Sequence, residues 1–176
     1  MSRRRVVVIT GFMGAGKTTV GRALARLLCE GFVDLDEAVA AAEGRPPREL
    51  IDVEGEEYFR EAETHALRLV LEEGAARVVA TGGGAWTLER NRALVKAHGC
   101  LSVWLDAPFD LCRRRIEEGG GASDRPFARD PARALSLYEE RIASYRLADL
   151  RVPVAPDASP EELAARVSAA LDARGL

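Results

Sequence analysis

The stretch Gly11-Phe12-Met13-Gly14-Ala15-Gly16-Lys17-Thr18 satisfies the pattern G-x-x-x-x-G-K-[ST] at every fixed position. Each fixed position has a chemical reason. Glycines let the backbone turn its N–H groups inward around nucleotide phosphates, the lysine meets the β/γ oxygens, and the terminal hydroxyl holds Mg²⁺. Such a loop must leave a strand and open a helix, whose N-terminus adds the positive end of its dipole. Both neighbours are present. Arg5 to Thr10 is a β-branched apolar run bounded by Gly11, and Thr18 to Glu30 places Leu24, Leu27 and Leu28 at helical spacing. Gly14, Ala15, Gly16, Lys17, Thr18 and Thr19 therefore form the expected ATP site, with Lys17 catalytic and Thr18 on one Mg²⁺ ion.

Outward from the loop, strand and helix signals alternate. Phe32-Val33-Asp34 follows Gly31 as a short strand and leads into a helix over Glu37 to Glu43. Pro47 to Glu73 carries Leu50, Ile51, Phe59, Leu67, Val70 and Leu71 among many charges, which predicts an amphipathic helix or a pair of them. Val78 to Ala80 is a third strand ending in Thr81-Gly82-Gly83-Gly84. A helix over Glu89 to Ala97, a strand over Cys100 to Leu105 and a helix over Phe109 to Glu118 follow. Gly119 to Asp124 then breaks the pattern with small residues, a segment expected to move. The helix Pro131 to Leu147, the strand Arg151 to Val154 and the helix Ser159 to Ala173 complete the series. This alternation predicts a parallel sheet flanked by helices and joined by right-handed crossovers.

Composition restricts the partners. The 176 residues suffice for one core, so a single domain over residues 1–176 is expected. With 25 Lys and Arg against 28 Asp and Glu, the net charge of −3 argues against a sequence-independent grip on nucleic acid or an anionic membrane. Three cysteines without C-x-x-C spacing suggest neither a disulfide framework nor a zinc site, and fit a reducing cytoplasm. Met1 to Arg5 followed by Val6 to Ile9 imitates the start of a secretory leader, but the apolar run stops at Gly11 and continues into the phosphate loop.

ATPases, GTPases and small-molecule kinases share the loop, so other residues must choose the reaction. Asp34 and Asp36 lie at the expected carboxyl end of a strand. In an extended chain residues two apart point the same way, so one carboxylate could reach Mg²⁺ through water while the other accepts a hydroxyl proton. The plainer alternative is a solvated loop and a helix N-cap. Gly82 to Gly84 offers backbone N–H groups to a carboxylate or to hydroxyls, or is simply a tight turn. Arg60 and Glu63, one helical turn apart, read equally as a surface ion pair.

Taken together, Gly11 to Gly21, Asp34-Leu35-Asp36, Gly55-Glu56 with Phe59-Arg60, Thr81 to Ala85, Trp104-Leu105, Arg125-Pro126 and Arg141 with Tyr145 resemble the shikimate kinases in order and separation. The resemblance spans nearly the whole chain. It implies an α/β fold of the P-loop NTPase, nucleoside monophosphate kinase type, with a five-stranded parallel sheet of order 2-3-1-4-5 flanked by helices. It implies that Asp34 organises the metal through water and that Asp36 faces the ring hydroxyls of shikimate as candidate base. Arg60, Gly82, Gly83, Gly84 and Arg141 would hold the acid, Arg115 or one of its neighbours Arg113 and Arg114 would lie near adenine, and Arg125 would close over the phosphates as a catalytic lid residue. The acceptor segment is then about 34–63 and the lid about 117–130. The partners implied are ATP and shikimate, with no nucleic acid or membrane, for a cytoplasmic monomer. Three departures stand out: Ile51 where relatives usually carry an aromatic residue, Phe127-Ala128 where two leucines commonly follow the Arg-Pro, and a glycine-expanded lid. His65 and His98 fit no motif and are expected on the surface or in helix packing, while Trp86 and Trp104 are expected as core and pocket wall. The competing readings are a gluconate-like or nucleoside monophosphate kinase, and a nucleotide-dependent switch. Against the switch, the chain carries no N-K-x-D guanine signature.

Overall fold

The computed structural model describes residues 5–74, 76–119 and 130–175. Strand β1, Val7–Thr10, is buried along its full length in the middle of the sheet, so it has no solvent face and no polar alternation. It pairs in parallel with β3, Val78–Ala80, on one side and with β4, Leu101–Asp106, on the other. Strand β2, Phe32–Asp34, adds outside β3, and β5, Leu150–Pro153, outside β4. The order β2-β3-β1-β4-β5 is the one the family resemblance implied.

Register decides where the site lies. Ile9 and Asp34 both stand beside Ala80, and Thr10 stands beside Trp104, so β1, β2 and β3 end along one edge. The loops leaving that edge carry the phosphate loop, the aspartate pair and the glycine triplet. Ligands of open parallel sheets collect at this carboxyl edge.

Helix α1, Lys17–Leu28, follows the phosphate loop and packs against α8, Pro160–Asp172. Helix α8 starts with a reciprocal cap: Ser159 Oγ accepts from the Glu162 N–H while the Glu162 carboxylate accepts from the Ser159 N–H. The Pro47 to Glu73 stretch is a pair of helices, α3 at Pro47–Glu54 and α4 at Glu56–Glu73. The break is Gly55, at φ 94°, a conformation no neighbouring L-residue adopts without strain. Helix α2, Leu35–Glu43, begins two residues before the sequence signal at Glu37, because Asp34 caps it. Helices α5 (Glu89–Ala97), α6 (Phe109–Glu118) and α7 (Pro131–Tyr145) complete the set.

Between sheet and helices, Leu24, Leu35, Leu50, Leu67, Leu105 and Leu171 are essentially sealed from solvent. Each such side chain contributes about 2 kcal/mol through burial. Both tryptophans join this core, and neither lines the main cavity, so Trp104 is not the pocket wall it was expected to be. His65 and His98 are on the surface.

Candidate active site

A cavity of about 480 Å³ opens at the carboxyl edge, with the phosphate loop on one side and the glycine triplet on the other. The loop can exist only with glycine at its corners. Gly11, Gly14 and Gly16 have φ of 145°, 77° and 96°, and a methyl group built on Gly14 would stand 2.6 Å from the carbonyl oxygen of Cys112. Gly16 caps α1 in the left-handed conformation with no side-chain cap. The first N–H groups of α1 are thereby left for an anion. Lys17 Nζ donates to the Phe12 carbonyl at 2.9 Å, holding the amine against the loop it serves. Thr19 donates back to the Gly16 carbonyl at 2.9 Å.

The metal-side chemistry sits one step deeper. Thr18 Oγ1 donates to Asp34 Oδ2 at 2.6 Å, and Asp34 Oδ1 accepts from the Asp36 N–H at 3.0 Å. Asp34 therefore caps α2 and braces the threonine at once, so the N-cap reading holds, and the same side chain stands beside the hydroxyl expected to hold Mg²⁺. The extended geometry from Asp34 to Asp36 is not what occurs: Asp36 lies in the first turn of α2. It reaches the cavity nonetheless, since a methyl group on Gly82 would stand 2.8 Å from Asp36 Oδ1. Hard oxygen donors of this kind suit Mg²⁺. Among the described residues no three His, Cys, Asp or Glu side chains cluster as a metal cage. A small donor set fits an ion that keeps several waters and binds substrate phosphates.

On the acceptor side the glycines provide space. Gly84 has an ordinary φ of −94°, but a methyl group on it would collide with the Arg60 guanidinium. One on Gly83 would stand 3.3 Å from Arg141 Nη1, 3.5 Å from the Met13 backbone nitrogen and 3.7 Å from the Gly11 carbonyl oxygen. Two guanidinium groups thus lie against a side-chain-free turn that itself abuts the phosphate loop.

Arg60 is not part of a surface pair. Its Nη1 donates to Glu63 Oε2 at 2.8 Å, and the Glu63 side chain is fully buried. Burial pushes the Glu63 carboxyl pKa up; the Arg60 guanidinium opposes this and the nearby Asp36 charge adds to it. Burial also disfavours the Arg60 charge, yet Glu63 and Glu56 outweigh it and its pKa is raised. Glu63 Oε2 holds Arg60, while buried Oε1 has no hydrogen-bond partner among the described residues. The role of Glu63 was missed from sequence although a signal existed: Phe59, Glu63, Leu67 and Leu71 fall four apart on the buried stripe of α4. A lone acid in such a stripe is not a solvated one.

Of the three consecutive arginines, Arg113 and Arg114 pair outward with Glu117 and Glu118. Arg115 faces the cavity and donates to the Ala15 carbonyl at 3.2 Å. Arg125 and most of the expected lid, 120–129, lie outside the described residues.

Residues 13–172 match the family model for shikimate kinase. The chain belongs to the shikimate kinase family. It is 40% identical over 173 residues to the shikimate kinase of Ruegeria pomeroyi, covering 97% of this chain and 86% of that one. It is 42% identical over 154 residues to that of Geobacter sulfurreducens, covering 86% and 82%. Among solved structures, shikimate kinase from Acinetobacter baumannii in complex with shikimate has a TM-score of 0.88 at 31% identity, covering 98% of this chain and 95% of that one. The shikimate kinase of Aquifex aeolicus has a TM-score of 0.83 at 32% identity, covering 97% and 98%. As a member of the shikimate kinase family the chain is a kinase, and the gluconate, nucleoside monophosphate and switch readings fall away.

Proposed function

We propose that the chain transfers the γ-phosphoryl group of ATP to the 3-hydroxyl of shikimate, giving shikimate 3-phosphate and ADP. The observation that carries this reading is the place of Gly83, where a methyl group would meet both Arg141 and the backbone of Met13 and Gly11. An acid gripped beside the triplet has its hydroxyls next to the phosphate loop. Arg60 and Arg141 match a carboxylate with paired N–H donors, and Gly82 to Gly84 allow close approach. Asp36, at the same turn, accepts the hydroxyl and directs it at phosphorus, taking the proton as the P–O bond forms. Lys17 and the loop N–H groups neutralise the charge passing to the leaving ADP.

Thr18, with Asp34 acting through water, would hold one Mg²⁺, which would supply positive charge against the phosphates. Arg115 lies where an adenine could rest on its guanidinium plane. Arg125 in the lid is assigned to the transferring phosphate by its place in the sequence. The whole chain works as one domain, with acceptor segment 34–63 and lid 117–130. Three free cysteines and a net charge of −3 support a cytoplasmic monomer without nucleic-acid or membrane partners. Among the described residues no helix is long and apolar enough to cross a membrane.

The test is ADP release from ATP and Mg²⁺ with shikimate, gluconate or a nucleoside monophosphate as acceptor. Release that depends on shikimate alone, and falls at least about 100-fold in Asp36→Asn, supports the reading. Equal release without any acceptor contradicts it.

A further inference from the structure

The last turn of α7 is fastened twice to the glycine triplet and the turn that follows it. The Trp86 indole N–H donates to the Ser144 carbonyl at 3.0 Å, and the next residue, Tyr145, donates its phenol to the Gly83 carbonyl at 2.6 Å. Tyr145 is completely buried. Its ring stacks on Trp104, with centroids 6.1 Å apart and planes 27° apart, and Arg151 covers Trp104 with its guanidinium carbon 5.3 Å from the ring centroid. Burial pushes its phenol pKa up to about 12, with the Arg141 charge acting the other way. The phenol therefore remains a donor throughout the range in which the enzyme would work.

Arg141 lies one turn earlier on the same face of α7, four residues before Tyr145. Both side chains converge on Gly83: Tyr145 grips its carbonyl, and a methyl group built on its α-carbon would stand 3.3 Å from Arg141 Nη1. Trp86 holds the backbone of this turn at Ser144, and the Tyr145 phenol ties it to Gly83 itself. We propose that Tyr145 is a positioning residue which sets acceptor affinity by locking Arg141 and Gly83 in one arrangement, without itself touching the acceptor. The proposal rests on the reading of Arg141 as a holder of the shikimate carboxylate.

A phenol that only satisfied a buried carbonyl would affect stability and leave the two substrates alike. A positioning phenol separates them. In Tyr145→Phe, which keeps the ring and its stacking on Trp104, the KM for shikimate rises about tenfold while kcat and the KM for ATP stay within about twofold. In an Arg141→Ala background the same substitution adds less than about twofold, because the partner it acts through is gone. An unmoved KM for shikimate, an equal rise for ATP, or a full tenfold effect without Arg141 would overturn the proposal. Failure of the unmodified protein to turn over shikimate would bring down the acceptor reading along with it. Normal turnover with an unmoved Tyr145→Phe brings down this proposal alone. If that variant does not fold, the ζ-carbon NMR resonance of Tyr145 in the unmodified protein decides: it shifts on adding shikimate and not on adding ADP. A resonance indifferent to shikimate would overturn the proposal.

Discussion

Two glycine-rich segments face each other across the cavity, and they use glycine for different reasons. In Gly11 to Thr18 the glycines adopt left-handed or related conformations, and two of them press on backbone: a methyl group on Gly11 would stand 2.7 Å from the Leu105 carbonyl oxygen, and one on Gly14 2.6 Å from that of Cys112. In Gly82 to Gly84 none has positive φ, and the atoms they press on most closely are the tips of Arg60, Glu63, Asp36 and Arg141, with the phosphate-loop backbone next nearest to Gly83. The first segment needs glycine to exist. The second needs it to leave room for charged side chains. Identical substitutions should therefore fail differently on the two sides.

The largest contrast comes from Gly14→Ala. The new methyl group meets the Cys112 carbonyl, which cannot move without shifting α6, and φ of 77° is unfavourable for alanine. Expected is a loss of about 2 kcal/mol in stability, read as a lower Tm, together with a fall of at least about 100-fold in kcat/KM for ATP. A variant of ordinary Tm and ordinary ATP kinetics would break the comparison. Next in size, Gly84→Ala displaces only the Arg60 guanidinium. The KM for shikimate should rise about tenfold, with the KM for ATP and the Tm nearly unchanged. An equal change in both KM values would show that the two sides are not separable.

The smallest effect sharpens the acceptor side alone. The folded-state pKa of Glu63 is raised by burial, so its contribution to stability is fully present below the ordinary carboxyl value of 4.5 and is lost as pH rises through the folded value. Glu63→Gln does not titrate. Relative to the unmodified protein it should gain in Tm as pH rises above the ordinary carboxyl value of 4.5, and a difference in Tm that is flat with pH would contradict the assignment. Activity should report the other half of the role, since Gln holds Arg60 through a weaker, uncharged acceptor.

The two sides were also unequally legible in the sequence. The phosphate loop could be read locally, because eight consecutive residues carry both the conformation and the chemistry. Strands β1 to β5 were legible for the same reason, being short apolar runs between glycines and helical stretches. The acceptor side draws on α2, α4, the β3 loop and α7, and no single stretch announces it. Asp36 reaches the cavity by another geometry than the extended one expected: its reach comes from the first turn of a helix capped by Asp34. Glu63 was read as exposed because spacing to Arg60 says nothing of which face turns inward. Tyr145 carried only a place in a motif, since its partner Gly83 lies 62 residues away in the chain.

Analysis of the product by NMR, after incubation with ATP, Mg²⁺ and shikimate, tests the account most directly. A single phosphomonoester on the 3-position from the unmodified protein, and none above background from Asp36→Asn, is the predicted result. Phosphorylation undiminished in Asp36→Asn, or no phosphorylated shikimate from the unmodified protein, would contradict it.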